Sequence, residues 1–200
     1  MKMKLILASG NKHKMEEVTA MLPEQFELKS MKDLGILDEI PETGKTLQEN
    51  AELKARHVYG RLKARGIDAF VLADDSGLEV KALNGAPGVY SARYAGEPKS
   101  DVSNNTKLLH ELKNNTKREA RFVTVLSLIM NGETHAFEGE LKGTISYEPR
   151  GNHGFGYDPL FIPRGYRSTL AELGEGVKNS ISHRAEALKK LLVFFESNPH

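Results

Sequence analysis

Apolar residues in the first half of the chain form short runs that alternate with stretches of helical spacing. Residues 5–8 and 70–73 are continuously apolar, which is typical of buried strands, and residues 26–30 suit a further strand. Between them, residues 12–22 and 46–65 repeat apolar side chains every three or four positions. This spacing predicts two helices, which end at Pro23 and Gly66.

The second half predicts one more helix, a hairpin and a closing helix. Residues 101–114 have helical spacing, with Val102, Leu108, Leu109 and Leu112 as the apolar face. Asn131-Gly132 separates two strand-like segments, 121–130 and 134–141, and favours a tight hairpin turn. We expect loops at 31–45, 83–99 and 151–156, a last helix over 181–195, and a mixed α/β fold in a single domain, residues 1–200.

Composition narrows the class of protein. The 28 Lys and Arg residues nearly balance 27 Asp and Glu residues, giving a net charge of +1, so we expect no nucleic-acid partner. The chain has no cysteine, which excludes disulfides, thiolate metal sites and a cysteine nucleophile. No run approaches the roughly 20 apolar residues of a membrane span. We therefore expect a cytoplasmic protein with no membrane partner.

Polar residues that could bind a phosphate follow the first strand. The order strand, glycine turn, helix places free backbone N–H groups at the helix start, where anions are favoured. An ordinary helix cap followed by solvated lysines would give the same pattern. The candidates are Ser9, Gly10, Asn11, Lys12, His13 and Lys14.

Acidic residues near the second helix and the second apolar run could hold a cation. Asp74 and Asp75 follow residues 70–73, and carboxylate oxygens suit Mg²⁺, although Asp-Asp-Ser-Gly is also typical of a turn. Because neighbouring side chains of a strand point to opposite faces, only one of the two is expected in a given site. Glu42 precedes a predicted capping box formed by Thr46 and Glu49.

Two later segments could contact a flat ring or an anion. In 154–159, glycines flank Phe155, which would let a planar ligand stack on it, although a tight turn with a packed Phe is an alternative. At the start of the last helix, His183 and Arg184 are cations where the helix dipole disfavours them. Such a departure from a local rule is typical of a functional site.

Taken together and in order, these segments closely resemble the inosine triphosphate pyrophosphatase family, whose bacterial members are XTP/dITP diphosphatases. The resemblance spans residues 5 to about 192. It rests on 9–14, 42–46 with 49–51, 73–78, 85–93, 154–159 and 182–184. It implies an elongated mixed sheet flanked by helices, two lobes with a central cleft, and a homodimer.

The resemblance also implies a reaction and residue roles. The reaction splits ITP, dITP or XTP into a monophosphate and pyrophosphate with Mg²⁺. Glu42 and Asp75 would bind the metal, and Asp75 would be the catalytic base. Arg184 would face the 6-keto oxygen of the purine, which disfavours adenine. The implied substrate contacts are Ser9, Gly10, Asn11, Lys12, His13, Lys14, Lys54, Ser76, Phe155, Gly156, Tyr157, Asp158, Lys178, His183 and Arg184.

Three other functions remain open from the sequence. The chain could be a pyrophosphatase for other modified nucleotides, or a nucleotide sensor without catalysis. The presence of both Glu42 and Asp75 argues against the sensor. A nucleic-acid-binding module is disfavoured because the chain has no basic, aromatic-rich stripe.

Overall fold

The computed structural model describes residues 2–198, which form a six-stranded sheet flanked by helices. In chain order the elements are β1 (Met3–Leu7), α1 (Lys12–Met21), β2 (Phe26–Ser30), α2 (Leu47–Ala64), β3 (Phe70–Val80), α3 (Asp101–Glu111), β4 (Glu119–Met130), β5 (Glu133–Ile145), β6 (Phe161–Pro163), α4 (Leu170–Ile181) and α5 (His183–Ser197). Short 3₁₀ helices cover Lys32–Leu34, Lys81–Leu83 and Gly88–Arg93.

The sheet has the strand order β2-β1-β3-β4-β5-β6. Strand β1 pairs in parallel with β2 and β3, whereas β5 and β6 are antiparallel. Asn131 and Gly132, both with positive φ, form the turn between β4 and β5. The structure thus confirms the predicted mixed α/β fold and the predicted hairpin.

The residues group into two compact units. The first contains the chain up to Asp75, then Thr124–Gly139 and the segment from Glu186 onward; the second contains Ser76–Val123 and Glu140–Ala185. Strands β3, β4 and β5 each contribute residues to both units. The single domain over residues 1–200 stays a prediction.

The first unit has a core on each face of its strands, because side chains alternate along β1 and β3. On one face Leu5, Leu7 and Leu72 pack with Val18 of α1 and Leu188 of α5. On the other face, the packed residues include Ile6, Ala8, Val71, Ala73 and three residues of α2, namely Ala55, Val58 and Leu62. In the first unit, the alternation therefore decides whether a residue of β3 faces α1 or α2.

The second unit has a core of its own. Leu78 and Val80 of β3 pack with Leu108 of α3, with Phe122 of β4 and with Phe161 of β6. The prediction for Val102 is wrong, since 77% of this residue is exposed. Leu108 lies on the side of α3 that faces this core, whereas Val102 lies on the solvent-facing side.

Strand β3 is longer than its apolar start indicates. The sequence predicted a strand that ends before Asp74, but β3 continues to Val80 and carries both aspartates in its middle. The physical reason is the burial of Leu78 and Val80, both of which have no exposed surface. Their burial extends the strand through four residues that would otherwise favour a turn.

The helix starts also differ from expectation. Thr46 caps α2 by accepting a hydrogen bond from Glu49 N, as predicted, but the Glu49 carboxylate accepts from Lys45 N rather than from Thr46 N. A complete capping box occurs instead at Thr169 and Glu172, where α4 begins. The sequence analysis did not predict α4, which contains a non-helical residue at Gly174.

No helix within residues 2–198 is long and apolar enough to cross a membrane.

Gly77 of β3 provides a test of the packing in the second unit. A Cβ at this position would collide with the carbonyl oxygen of Gly88, so we expect Gly77→Ala to destabilise the protein by about 1–3 kcal/mol. The same change at Gly60, in the interior of α2, meets no atom within 4 Å and should stabilise by roughly 0.5–1 kcal/mol. Urea unfolding of both variants measures the difference, and equal stabilities would contradict this packing.

Candidate functional site

The two aspartates of β3 lie on opposite faces of the strand, as the alternation requires. Asp74 shares its face with Leu72, which packs with α1, and Asp75 shares its face with Ala73, which packs with α2. Asp74 has no exposed surface and Asp75 is 6% exposed. Buried carboxylates need cationic or hydrogen-bonding partners, and each one finds a lysine on its own side.

Lys14 of α1 is the partner of Asp74. Its Nζ lies 2.5 Å from Asp74 Oδ1 and donates to the Asp74 carbonyl oxygen at 3.3 Å. The pair is largely out of water, since the Lys14 side chain is only 14% exposed. The first turn of α1 is thereby fixed against the middle of β3.

Lys54 of α2 joins two carboxylates. Its Nζ donates to Asp75 Oδ1 at 2.6 Å, to Glu42 Oε1 at 3.1 Å and to the Asp74 carbonyl oxygen at 2.9 Å. Burial alone would lower the pKa of Lys54, but the negative charges of Asp75 and Glu42 outweigh this effect and raise it. The ammonium group therefore stays charged.

Burial shifts the pKa of Asp75 in the opposite direction to its effect on Lys54. It raises the pKa of the carboxyl group, and the attraction of Lys54 and Lys14 only partly opposes this. A carboxylate whose pKa is raised holds a proton more tightly and is therefore a stronger base.

The loop that carries Glu42 is held by the first turn of α2. Gly44 N donates to Asn50 Oδ1 at 2.7 Å, and Lys45 N donates to Glu49 Oε2 at 2.6 Å. Because these bonds fix the backbone directly after Glu42, its carboxylate is directed toward Lys54, one helical turn beyond Asn50.

The start of α1 has the predicted cap geometry. Asn11 caps the helix by accepting from Lys14 N at 3.2 Å, and Ser9 Oγ accepts from Asn11 N at 3.1 Å. The side chains of Lys12 and His13 lie on the exposed surface beside Glu16. Gly10 is exposed as well. The backbone N–H groups of Lys12 and His13 lie in the first turn of α1, where anions are favoured.

The remaining predicted residues lie in the second unit. Arg184 is 1% exposed and donates from Nη2 to Ser76 Oγ at 3.1 Å. His183 is 4% exposed, and its ring stacks on Phe122 with centroids 4.8 Å apart. Ser182 Oγ accepts from Ala185 N at 3.1 Å and so caps the start of α5. Both residues lie in the first turn of α5, as the sequence indicated.

Phe155, Asp158 and Lys178 form a second charged cluster. Asp158 Oδ2 accepts from Lys178 Nζ at 2.6 Å and from Phe155 N at 2.9 Å. The Lys178 ammonium lies 4.3 Å from the centroid of the Phe155 ring. Asp158 and Lys178 are 2% and 3% exposed, so a buried ion pair ties the end of this loop to α4.

Tyr157 anchors the same loop from its other side. Its hydroxyl donates to the Ser91 carbonyl oxygen at 2.8 Å, and burial raises the pKa of Tyr157, so that the hydroxyl remains a donor. Ser91 in turn accepts from Leu78 N and donates to the Gly88 carbonyl oxygen. The segment 85–93, whose purpose the sequence left open, therefore supports both β3 and this loop.

The carboxylate cluster of the first unit suits a metal whose other ligands come from a substrate. Within the described part of the chain, no three His, Asp or Glu side chains gather in a way that could hold a metal alone. Mg²⁺, however, is commonly held by one or two carboxylates together with phosphate oxygens and water. Glu42 and Asp75, which converge on Lys54, fit that requirement.

Sequence reasoning found the residues of both clusters but missed their pairing. It did not link Lys14 to Asp74 or Lys178 to Asp158. A strand-face argument could have found the first pair, because α1 directly follows β1, the strand beside β3. No sequence signal indicates the second pair, whose members are 20 residues apart. The roles of all these residues as substrate contacts stay predictions.

A mixed sheet flanked by helices, with buried lysine–carboxylate pairs on its central strand, defines an α/β protein with a strongly charged candidate site. The chain belongs to the Ham1 family, whose model matches residues 5–194. This confirms the family resemblance inferred from the sequence.

Similar proteins agree over nearly the full length of the chain. A dITP/XTP pyrophosphatase of Flavobacterium psychrophilum is 48% identical and covers 98% of this chain and 100% of its own. A dITP/XTP pyrophosphatase of Bacillus licheniformis is 50% identical, with coverages of 94% and 95%. The Staphylococcus aureus Ham1 protein superposes with a TM-score of 0.85 at 41% identity, with coverages of 98% and 100%.

The buried pair of Asp158 and Lys178 gives a test of this geometry. Asp158→Asn removes the carboxylate from a lysine that is 3% exposed, so we expect a loss of about 3–5 kcal/mol in stability. The matched change Asp68→Asn, at a residue 94% exposed and 3.7 Å from Lys63, should cost at most about 0.5 kcal/mol.

Adding Lys178→Met to Asp158→Asn should recover part of the loss, because the unpaired charge is removed. Urea unfolding of the three variants measures these differences. If Asp158→Asn were as stable as Asp68→Asn, the buried pair would not be ionised in the folded protein.

Proposed function

We propose that this protein hydrolyses ITP, dITP and XTP to the monophosphate and pyrophosphate, which keeps these non-standard purine nucleotides out of DNA and RNA. The observation that carries the proposal is the cluster of Lys14, Lys54, Glu42, Asp74 and Asp75. It supplies a base and oxygen ligands together with cations, in a chain closely similar to dITP/XTP pyrophosphatases.

The charge of this cluster supports a need for Mg²⁺. Its two lysines face three carboxylates, a formal charge of −1 when all are ionised, so the cluster by itself would repel a triphosphate of about four negative charges. Glu42 and Asp75 would hold the metal through carboxylate oxygens. When bound, Mg²⁺ neutralises phosphate oxygens and so makes the phosphorus easier to attack.

Lys14 and the start of α1 are suited to hold phosphate oxygens. The helix start, with the turn 9–11, offers backbone N–H groups and the positive end of the dipole. Lys14 and Lys54 would exchange part of their attraction to carboxylates for attraction to the phosphates. Such fixed donors stabilise the charge that develops in the transition state.

Asp75 is the candidate base that takes a proton from the attacking water. Its raised pKa favours this role, because a general base works best when its pKa approaches the working pH. The water attacks the α-phosphorus, the bond to the bridging oxygen breaks, and pyrophosphate leaves.

The residues around Phe155 and Arg184 would bind the purine. The Phe155 ring would stack on the base, with the Gly156–Asp158 segment and Lys178 beside it. Arg184 would donate to the 6-keto oxygen, and Ser76 and His183 would complete the contacts. Burial of Arg184 supports a role in selection, because a buried donor that meets the adenine amino group is left without an acceptor.

We also propose that the protein is a cytoplasmic homodimer whose ligand is a purine nucleoside triphosphate. The absence of cysteine suits a reducing compartment. The net charge of +1 supports a small anionic ligand held locally rather than a nucleic acid.

The proposed reaction is tested by pyrophosphate release from ITP, XTP, dITP, ATP, GTP, CTP and UTP, with Mg²⁺ and with EDTA. We expect Mg²⁺-dependent release mainly from the first three. Asp75→Asn, which keeps the size of the side chain, should lower kcat by about 10²–10⁴-fold because the base is lost.

Release confined to other modified nucleotides would favour the alternative substrate class. Binding of ITP without release of pyrophosphate would favour a sensor. If Asp75→Asn turned over ITP at the normal rate, the role of Asp75 as base and metal ligand would be wrong.

Arg184 gives a separate test of selectivity. Arg184→Lys keeps the positive charge but loses the planar pair of donors, so we expect kcat/KM for ITP to fall about 10–100-fold with little change for ATP. Arg56→Lys, at an exposed position of α2, is the control and should change neither value. An unchanged ratio of ITP to ATP turnover in Arg184→Lys would refute the assigned role of Arg184.

A further inference from the structure

Helix α3 holds the backbone of Gly156, the residue that follows Phe155. Asp101 Oδ2 accepts from Gly156 N at 2.7 Å, and Asn105 Nδ2 donates to the Gly156 carbonyl oxygen at 3.0 Å. Residues four apart lie on the same face of a helix, so α3 presents one acceptor and one donor to a single residue. We call Asp101 and Asn105 the α3 clamp.

We propose that the α3 clamp positions the Phe155 ring for stacking on the purine base, and that Asp101 and Asn105 are therefore positioning residues for base recognition. This inference rests on the proposed function, since it requires Phe155 to contact the base. Neither residue reaches the base itself in this scheme; both act through the backbone.

The geometry fixes the direction of the Phe155 side chain. Asp158 Oδ2 accepts from Phe155 N at 2.9 Å and so holds the peptide plane before Phe155. Asp101 accepts from Gly156 N and so holds the plane after it. Because each peptide unit is planar, fixing both planes fixes φ and ψ of Phe155 and hence the direction of its Cα–Cβ bond.

Gly156 explains why a clamp is needed. Its φ is 62°, and a glycine readily leaves this conformation because no Cβ restricts it. Asn105 is 8% exposed and Asp101 is at the surface, so the clamp reaches from the buried side of α3 to its exposed start. Without it, the substrate would have to order the loop during binding, which weakens affinity.

The clamp predicts a change in substrate affinity rather than in the chemical step. Asp101→Ala removes a charge-assisted hydrogen bond and should raise KM for ITP about 10-fold with kcat within about twofold. Asp101→Asn retains an oxygen acceptor and should restore KM to within about threefold of the wild type. Asn105→Ala should raise KM for ITP in the same direction.

Two further measurements separate positioning from general damage. Inorganic tripolyphosphate has no base, so its inhibition constant should be unchanged in Asp101→Ala. Amide hydrogen exchange in the segment 154–158 should be faster in Asp101→Ala than in the wild type and in Asp101→Asn. Val102→Ala, at a neighbouring residue that is 77% exposed, is the matched control and should behave as wild type in every assay.

The failure of the clamp and the failure of the proposed function give different results. If Phe155→Leu raises KM for ITP but Asp101→Ala does not, the base stacks as proposed and the clamp is wrong. If the wild-type protein hydrolyses ITP but Phe155→Leu leaves KM unchanged, the stacking role of Phe155 is wrong and the clamp is wrong with it. If the wild-type protein releases no pyrophosphate from any nucleotide, the proposed function itself fails. An equal loss of affinity for ITP and tripolyphosphate in Asp101→Ala would also overturn the clamp, because it would indicate general damage.

Discussion

The ammonium group of Lys54 is the interaction on which the candidate site depends. Asp75 is buried beside Glu42, and two carboxylates that approach each other out of water are stable only with a cation between them. Lys54 supplies that cation from α2, and its bond to the Asp74 carbonyl oxygen ties it to β3 as well. Removing this charge would leave the middle of the strand and the Glu42 loop without their common partner.

Much of the fold follows from the periodicity of the apolar residues, because burial decides both the helix faces and the strand faces. The alternation along β1 and β3 puts Asp74 toward α1 and Asp75 toward α2, and the sequence predicted that separation of the two side chains. It did not predict that β3 continues to Val80, since Asp-Asp-Ser-Gly favours a turn locally and only tertiary burial of Leu78 and Val80 overrides that preference. The sequence analysis did not predict α4 either, although Thr169 and Glu172 form the capping box that starts it; Gly174 then interrupts the helix.

The sequence was sufficient to nominate the residues of the site but not their contacts. Lys14, Glu42 and Asp75 could be named because carboxylates, lysines and a helix start suggest phosphate and metal chemistry, whereas Lys54 was assigned a role only through the family resemblance. Pairs such as Lys178 with Asp158 depend on how distant segments meet, and a single sequence contains no distance information. The sequence also offered no reason to assign Asp101 a role at the site. An aspartate in the first turn of a helix is already explained by the helix dipole, and its bond to Gly156 N depends on a distant segment.

Both charged clusters lower the stability that the same volume could have with apolar residues, because each buried ion loses its hydration. In return, their donors and acceptors are held in place before any ligand arrives. A site that must order several polar groups during binding loses some affinity for each group that it orders. A site whose polar groups are already fixed avoids this loss. The buried lysines, the capped loop at Glu42 and the α3 clamp at Gly156 share this property. We therefore regard preorganisation, rather than stability, as the physical reason for burying so many charges in a protein of this size.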